Sequence, residues 1–320
     1  MFDQRTGPSL PRARGALSAG VVRYLRGEGA LPDPGAALDA DPYGDDLQLA
    51  LYVCYELHYR GYAGVRPELE WDPALLAVRG PLEERFLTAL RRDATGSADL
   101  DEVVDGLLVE PVRGTGPSWF LQEKGELRHL REYAVQRSLY HLKEADPHAW
   151  VLPRLRGRAK AGMAAIEYDE FGAGRADRVH AQLFADLMTD LGLDTTYGRY
   201  LDEGHAEMLA LVNQMSLFGL HRRLRGALVG HFAAVEITSS PASRRLAHAM
   251  ERAGAGRAAE FFYTEHVEAD AVHEQVVRRE VIGGLLEDEP DLAADVAFGI
   301  TSTSWLEDRL GDRLLTRWQD

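Results

Sequence analysis

Apolar positions recur along this chain at the three-to-four-residue spacing of helices, and strictly alternating runs are scarce. The pattern predicts an all-α protein. In the first third it predicts helices over residues 17–26, 45–60 and 81–92. Ala94-Thr95-Gly96-Ser97 reads as a turn, and Arg113-Gly114-Thr115-Gly116-Pro117-Ser118 as a stronger break. The second break divides the expected organisation into an N-terminal helical region, 1–112, and a larger helical domain, 113–320.

Beyond the break, helices are expected over 118–144, from Asp146-Pro147 to Phe171, from 176 to 192, and over 197–218 and 221–237. A short helix is expected to start at Ser240-Pro241, followed by a long one over 257–279 and a last one over 304–318. Asp146-Pro147 has the order of a cap and a first helical proline. Gly172-Ala173-Gly174 reads as a stop.

Several polar residues interrupt the apolar stripes. His266, Asp270 and His273 stand at i, i+4 and i+7, within roughly 60° of helical arc, and Phe262 and Val277 continue their stripe. Burying such groups unpaired costs several kcal/mol. They need either a divalent metal such as iron, manganese or zinc, or a hydrogen-bonded His–Asp pairing between helices. Glu236 closes a face made by Leu228, Val229, Phe232 and Ala233, as a ligand or as a carboxylate reaching out at a helix end. His180 heads a stripe of Leu183, Phe184, Leu187 and Leu191, where a satisfied core histidine is the ordinary reading. Glu170 follows Met163 and Ile166, with Glu167 a rival on a less apolar face. Glu144, among Tyr133, Tyr140 and His141, looks like part of an amphipathic rim. Glu126 and His129 share an i, i+3 spacing at a charge-rich helix start, and His231 is a further candidate.

Taken together, these residues change the picture. Carboxylate-bridged diiron proteins gather glutamates and histidines from facing helices, with an acid-x-x-His pair among them. Asp270-Ala271-Val272-His273 is an aspartate version of that pair. The carboxylates of Glu144, Glu170, Glu236 and Asp270 would balance two ferrous ions, and without metal would raise one another's pKa.

Composition narrows the function classes. A net charge of −15 over 320 residues argues against a nucleic-acid surface. A single cysteine, Cys54, rules out an intrachain disulfide or a thiolate cluster. The start Met1-Phe2-Asp3-Gln4-Arg5 lacks the apolar run of a signal peptide, and no stretch is apolar enough for a membrane span, so a cytoplasmic protein is expected.

Glu170, His180, Glu236 and the run His266-x-x-x-Asp270-x-x-His273 resemble the signature of the haem-oxygenase-like diiron oxidases and oxygenases. The interval from Glu170 to His180 is similar to that of the N-oxygenase branch, other branches having a shorter one. That branch uses a further glutamate on the preceding helix, where Glu144 stands. The resemblance covers about residues 118–279. It implies a haem-oxygenase-like bundle and a metal site made of Glu144, Glu170, His180, Glu236, His266, Asp270 and His273, with no catalytic residue beyond the ligands. It further implies two iron ions, cycling between Fe2+ and Fe3+, that reduce O2 to a bridging peroxide, and N-oxygenation of a small amine or guanidine-type substrate. The N-terminal helices resemble an extension used for dimerisation, so a homodimer is expected. No Gly-x-Gly-x-x-Gly fingerprint stands in a strand–helix context, which leaves the electrons to an external reductant or the substrate. Haem is not expected. The alternatives are C–C cleavage of an amino acid or fatty acid on the same fold, iron storage or sensing, and a metal-free cofactor-handling bundle. A long apolar tunnel would favour the fatty acid, a short polar pocket the amine.

Overall fold

A computed structural model describes residues 7–319, and no strand occurs among the described residues. The start Met1-Phe2-Asp3-Gln4-Arg5 lies outside them. The fold is all-α, as the periodicity requires. Helices α1 (Ala16–Leu25), α2 (Asp45–Glu56), α3 (Pro73–Asp93) and α4 (Leu100–Leu108) come first. After the loop that follows α4 come α5 (Pro117–Lys124), α6 (Leu127–His141), α7 (Asp146–Ala149), α8 (Gly157–Glu170), α9 (His180–Asp190) and α10 (Ala206–Leu220). The chain finishes with α11 (Arg225–Ala253), α12 (Arg257–Val276), a π-helical turn (Val277–Ile282), α13 (Gly283–Asp288) and α14 (Ala293–Gln319).

The spine of the molecule is α11, which packs along both α12 and α14, while α12 lies on α9 and α8. Helix α2 is buried from Leu47 to Glu56 and packs against α1, α3 and α10, so the N-terminal helices share the core with the rest. At one point α11 and α14 meet backbone to backbone. A Cβ at Gly230 would collide with the carbonyl of Val296, and one at Gly299 with the carbonyl of Ala227. Glycine is required there by contact rather than by dihedral angle. No helix is long and apolar enough to cross a membrane.

Local signals misplace several boundaries. The helix expected over 118–144 is two helices. Gly125 separates them, and Glu126 and His129 form a reciprocal capping box at the start of α6. Their i, i+3 spacing is therefore a cap. Because α6 ends at His141, Glu144 stands in the turn that follows, where Ala145 takes a positive φ of 71°. The helix expected from residue 81 begins at Pro73, capped by the Asp72 carboxylate on Ala74 N, with Pro81 inside it.

The largest departure is α11. The sequence predicts a stop at Ile237 and a restart at Ser240-Pro241, but the helix runs for 29 residues straight through Pro241. An interior proline costs about 3 kcal/mol. Burial between α12 and α14 offsets this, and the Ser240 hydroxyl donates to the carbonyl of Val267 on α12. Glu236 consequently lies inside a helix, with no helix end through which to reach solvent.

Candidate metal centre

Each element brings its polar residue to the same place. Glu170 is the last residue of α8 and His180 the first of α9, joined by the turn through Gly172. The Asp190 carboxylate, at the other end of α9, accepts hydrogen bonds from Ala258 N (2.7 Å) and Ala259 N (3.2 Å) in the first turn of α12. This fastening aligns α9 with α12, and the rings of His180 and His266 lie 4.4 Å apart. Glu236 enters from α11, and Glu144 from the turn after α6.

Two groups result. Glu144, Glu170, His180 and His266 offer one ligand atom each, all within 4.8 Å of one another, and so do Glu170, Glu236, Asp270 and His273. Glu170 belongs to both. All seven side chains are buried, Asp270 and His273 to 2% exposure. Within the second group, His273 Nδ1 lies 3.1 Å from Glu236 Oε2, 3.5 Å from Asp270 Oδ1 and 3.6 Å from Glu170 Oε1. In the first, His180 Nδ1 is 2.7 Å from Glu170 Oε2, and His266 Nε2 is 3.9 Å from Glu144 Oε1.

Much of this polarity is unanswered by hydrogen bonds. Glu144 Oε2, His180 Nδ1, His266 Nε2 and Asp270 Oδ2 are buried without a hydrogen-bond partner among the described residues. The 2.7 Å approach of His180 to Glu170 is close but out of line for a hydrogen bond. Orphaned lone pairs converging from histidine and carboxylate are the donor set of a first-row divalent metal. The residues fit such an ion.

The electrostatics agree. Burial pushes Glu236 up to about 8, with Asp270 and Glu170 adding their repulsion. Burial works against charge on His266 too, yet the nearby Glu144 carboxylate and the fields of Asp270 and Glu170 raise it to about 10. His273 is opposed by burial in the same way and raised to about 11 by Asp270, Glu236 and Glu170. When no cation is bound, protons on His266, His273 and Glu236 thus offset the charge of the clustered carboxylates.

Neighbours orient the set. His266 Nδ1–H donates to the carbonyl of Phe262 at 2.7 Å, which leaves Nε2 as the inward lone pair. His141 Nδ1 holds Glu144 Oε1 at 2.8 Å, and together with His266 it keeps Glu144 well below the usual carboxylate range despite burial. A cavity of about 370 Å³ opens beside the two groups, lined by Tyr133, Phe232 and Tyr263 and by the polar residues Arg137, His148 and Glu307 among others. Arg137 and Glu307 form a bidentate pair at 2.7 and 2.6 Å.

Three further buried polar residues stand near the two groups. Glu167, placed on a less apolar face, is 2% exposed with both oxygens unpaired, and burial raises it to about 9. His231 lies outside both groups and hydrogen-bonds Thr303 and His148. His148 had no sequence signal beyond its type.

Fold and site define an all-helical protein with a buried carboxylate–histidine centre. Residues 131–308 match the family of iron-containing redox enzymes, and the chain belongs to that family. It is also similar to the nitrosourea synthase of Streptomyces achromogenes subsp. streptozoticus, at 27% identity over 226 residues. That match covers 66% of this chain and 48% of the relative, so the chain spans about half the length of the curated relative it matches.

Proposed function

We propose that the chain is a non-haem diiron oxygenase in which Glu144, Glu170, His180 and His266 hold one iron and Glu170, Glu236, Asp270 and His273 the other. The observation that carries this reading is the membership of Glu170 in both groups, since a shared carboxylate is how a paired site is built. Bound iron would supply the electrons that activate dioxygen. The chain's own residues fix the geometry. Phe262 O sets the tautomer of His266, His141 holds Glu144 in line, and Phe184 and Phe262 pack edge to face on each other and against the His141 ring.

The substrate we assign is a small amine or guanidine-type molecule that receives oxygen on nitrogen. Two observations support it. The cavity walls carry Arg137, His148 and Glu307 beside apolar residues, which suits a polar substrate better than a fatty acid. The similarity to a nitrosourea synthase points to chemistry at nitrogen. An external reductant supplies further electrons. We also assign residues 1–112 to a homodimer contact, because Leu38, Trp71, Leu108, Val109 and Val112 are exposed there. A monomer in sedimentation at micromolar concentration would remove that assignment.

The test is iron analysis after anaerobic ferrous loading, followed by rapid mixing with oxygen. About two irons per chain and oxygen consumption accelerated by an amine are expected. One iron, or consumption that no amine accelerates, refutes the reading.

A further inference from the structure

Along one wall of the cavity runs a row of buried polar groups with no part in the two four-residue groups. His148 (α7) and His231 (α11) are 1% and 0% exposed, and their Nε2 atoms lie 3.1 Å apart. His231 Nδ1 lies 2.8 Å from Thr303 Oγ1 on α14. The Thr303 hydroxyl lies 2.7 Å from the carbonyl of Gly299 and 3.4 Å from Gln214 Oε1. Gln214 is itself fixed, since its Nε2 donates to Ser302 Oγ, whose hydroxyl donates to the carbonyl of Phe298.

The direction of every proton in this row follows. Gly299 O and Gln214 Oε1 can only accept, so the one hydroxyl proton of Thr303 goes to Gly299 O. Thr303 Oγ1 must then accept from His231, which places the proton of His231 on Nδ1 and leaves Nε2 as a lone pair. His148 must donate to that lone pair, so its proton is on Nε2. Both rings are neutral, because burial holds each well below the ordinary histidine range. His148 Nδ1 is therefore an unprotonated acceptor on a ring that lines the cavity, and no partner holds it among the described residues.

We propose that His148 is the substrate-orienting residue, its Nδ1 accepting a hydrogen bond from an N–H of the molecule in the cavity, with His231 and Thr303 as positioning residues that lock its tautomer. The role rests on the nitrogen-substrate reading above. An imidazole held neutral accepts a hydrogen bond without removing the proton, so it selects molecules that present a donor and turns that nitrogen to a fixed position beside Glu144 and Glu170. The closeness of α11 to α14 at Gly230 and Gly299 sets the register that brings His231 to Thr303.

The experiment is nitrogen-15 NMR of the histidine side chains in the full chain loaded with diamagnetic zinc. His148 is expected as a neutral ring with unprotonated Nδ1 throughout pH 6–8. Thr303→Val is expected to turn His148 into a tautomer mixture, and Thr303→Ser to restore the single form. A protonated Nδ1, a charged ring, or no effect of Thr303→Val overturns the relay, whatever metal or substrate the enzyme uses. Titration with n-butylguanidine is expected to shift the Nδ1 resonance upfield by several ppm. n-Butyltrimethylammonium, which has no N–H, is expected to leave it in place. A resonance that the guanidine does not move, or that both cations move alike, overturns the substrate role.

Discussion

Lys143 Nζ lies 2.8 Å from Glu56 Oε2, and both side chains are 1% exposed. The pair joins α2 to the turn that carries Glu144, the residue next to Lys143. Tyr197 donates to the other Glu56 oxygen at 2.7 Å, and the rings of Tyr52 and Tyr59 lie against the ammonium. Arg60 adds a hydrogen bond to the carbonyl of Leu142 at 3.0 Å. The N-terminal region thus grips the turn on the residues just before Glu144.

Removing one partner of a buried pair leaves the other charge unanswered, which costs about 3–5 kcal/mol. Glu56→Ala is expected to lose about that much in urea unfolding, and Lys143→Met with Glu56→Leu to recover most of it. A single variant as stable as the parent would show that the pair is not the tie it looks like.

His266→Ala and Asp270→Ala are each expected to bind at least one iron fewer than the parent while remaining helical by circular dichroism. The two residues stand in different groups, so the two variants should lose different irons. Full occupancy in both removes them from the coordination sphere.

Glu144→Ala tests the ligand that comes from a turn. Iron affinity at one site is expected to fall roughly 10- to 100-fold, the second being spared, with slower oxygen consumption. Anaerobic ferrous titration reads both sites. Two unchanged affinities make Glu144 a bystander held by His141.

The metal-free protein should lose stability as pH rises. His266 and His273 have folded pKa values of about 10 and 11, against about 6.5 unfolded, so their contribution is complete below pH 6.5 and is lost as pH climbs through 10. Glu236, near 8 when folded, ionises earlier in the unfolded chain, which adds loss from about pH 4.5 up to 8. Calorimetry of metal-free protein should show Tm falling between pH 6 and 9. Iron replaces the protons, so the loaded protein should show a flatter profile. A metal-free Tm that rises over this range contradicts the raised values.

How much was legible depended on range. The α12 residues could be read because three positions on one helical face are a local pattern. Glu170 and His180 could be paired only through the family resemblance, since His180 by itself reads as a core histidine. The helical class followed from periodicity alone. The extent of α11 did not, because Pro241 is a strong local breaker and only packing against α12 and α14 overrides it. Glu167, on the less apolar face, is buried because α8 packs against α12, the π-helical turn and α13, all remote from it in sequence. The relay from Thr303 to His148 and the tie from Lys143 to Glu56 are contacts between distant segments. Neither leaves a trace in spacing.

The dual membership of Glu170 has a consequence for how such a protein fills with metal inside a cell. If one carboxylate serves both ions, the first to arrive fixes the orientation offered to the second, and the two equilibria are linked rather than parallel. Scarce iron then produces a mixture of empty, singly and doubly filled chains that no single dissociation constant describes. A competing cation needs to occupy only one position to spoil both. Whether the enzyme works is then decided by the order in which metals reach it, as much as by how much iron is present.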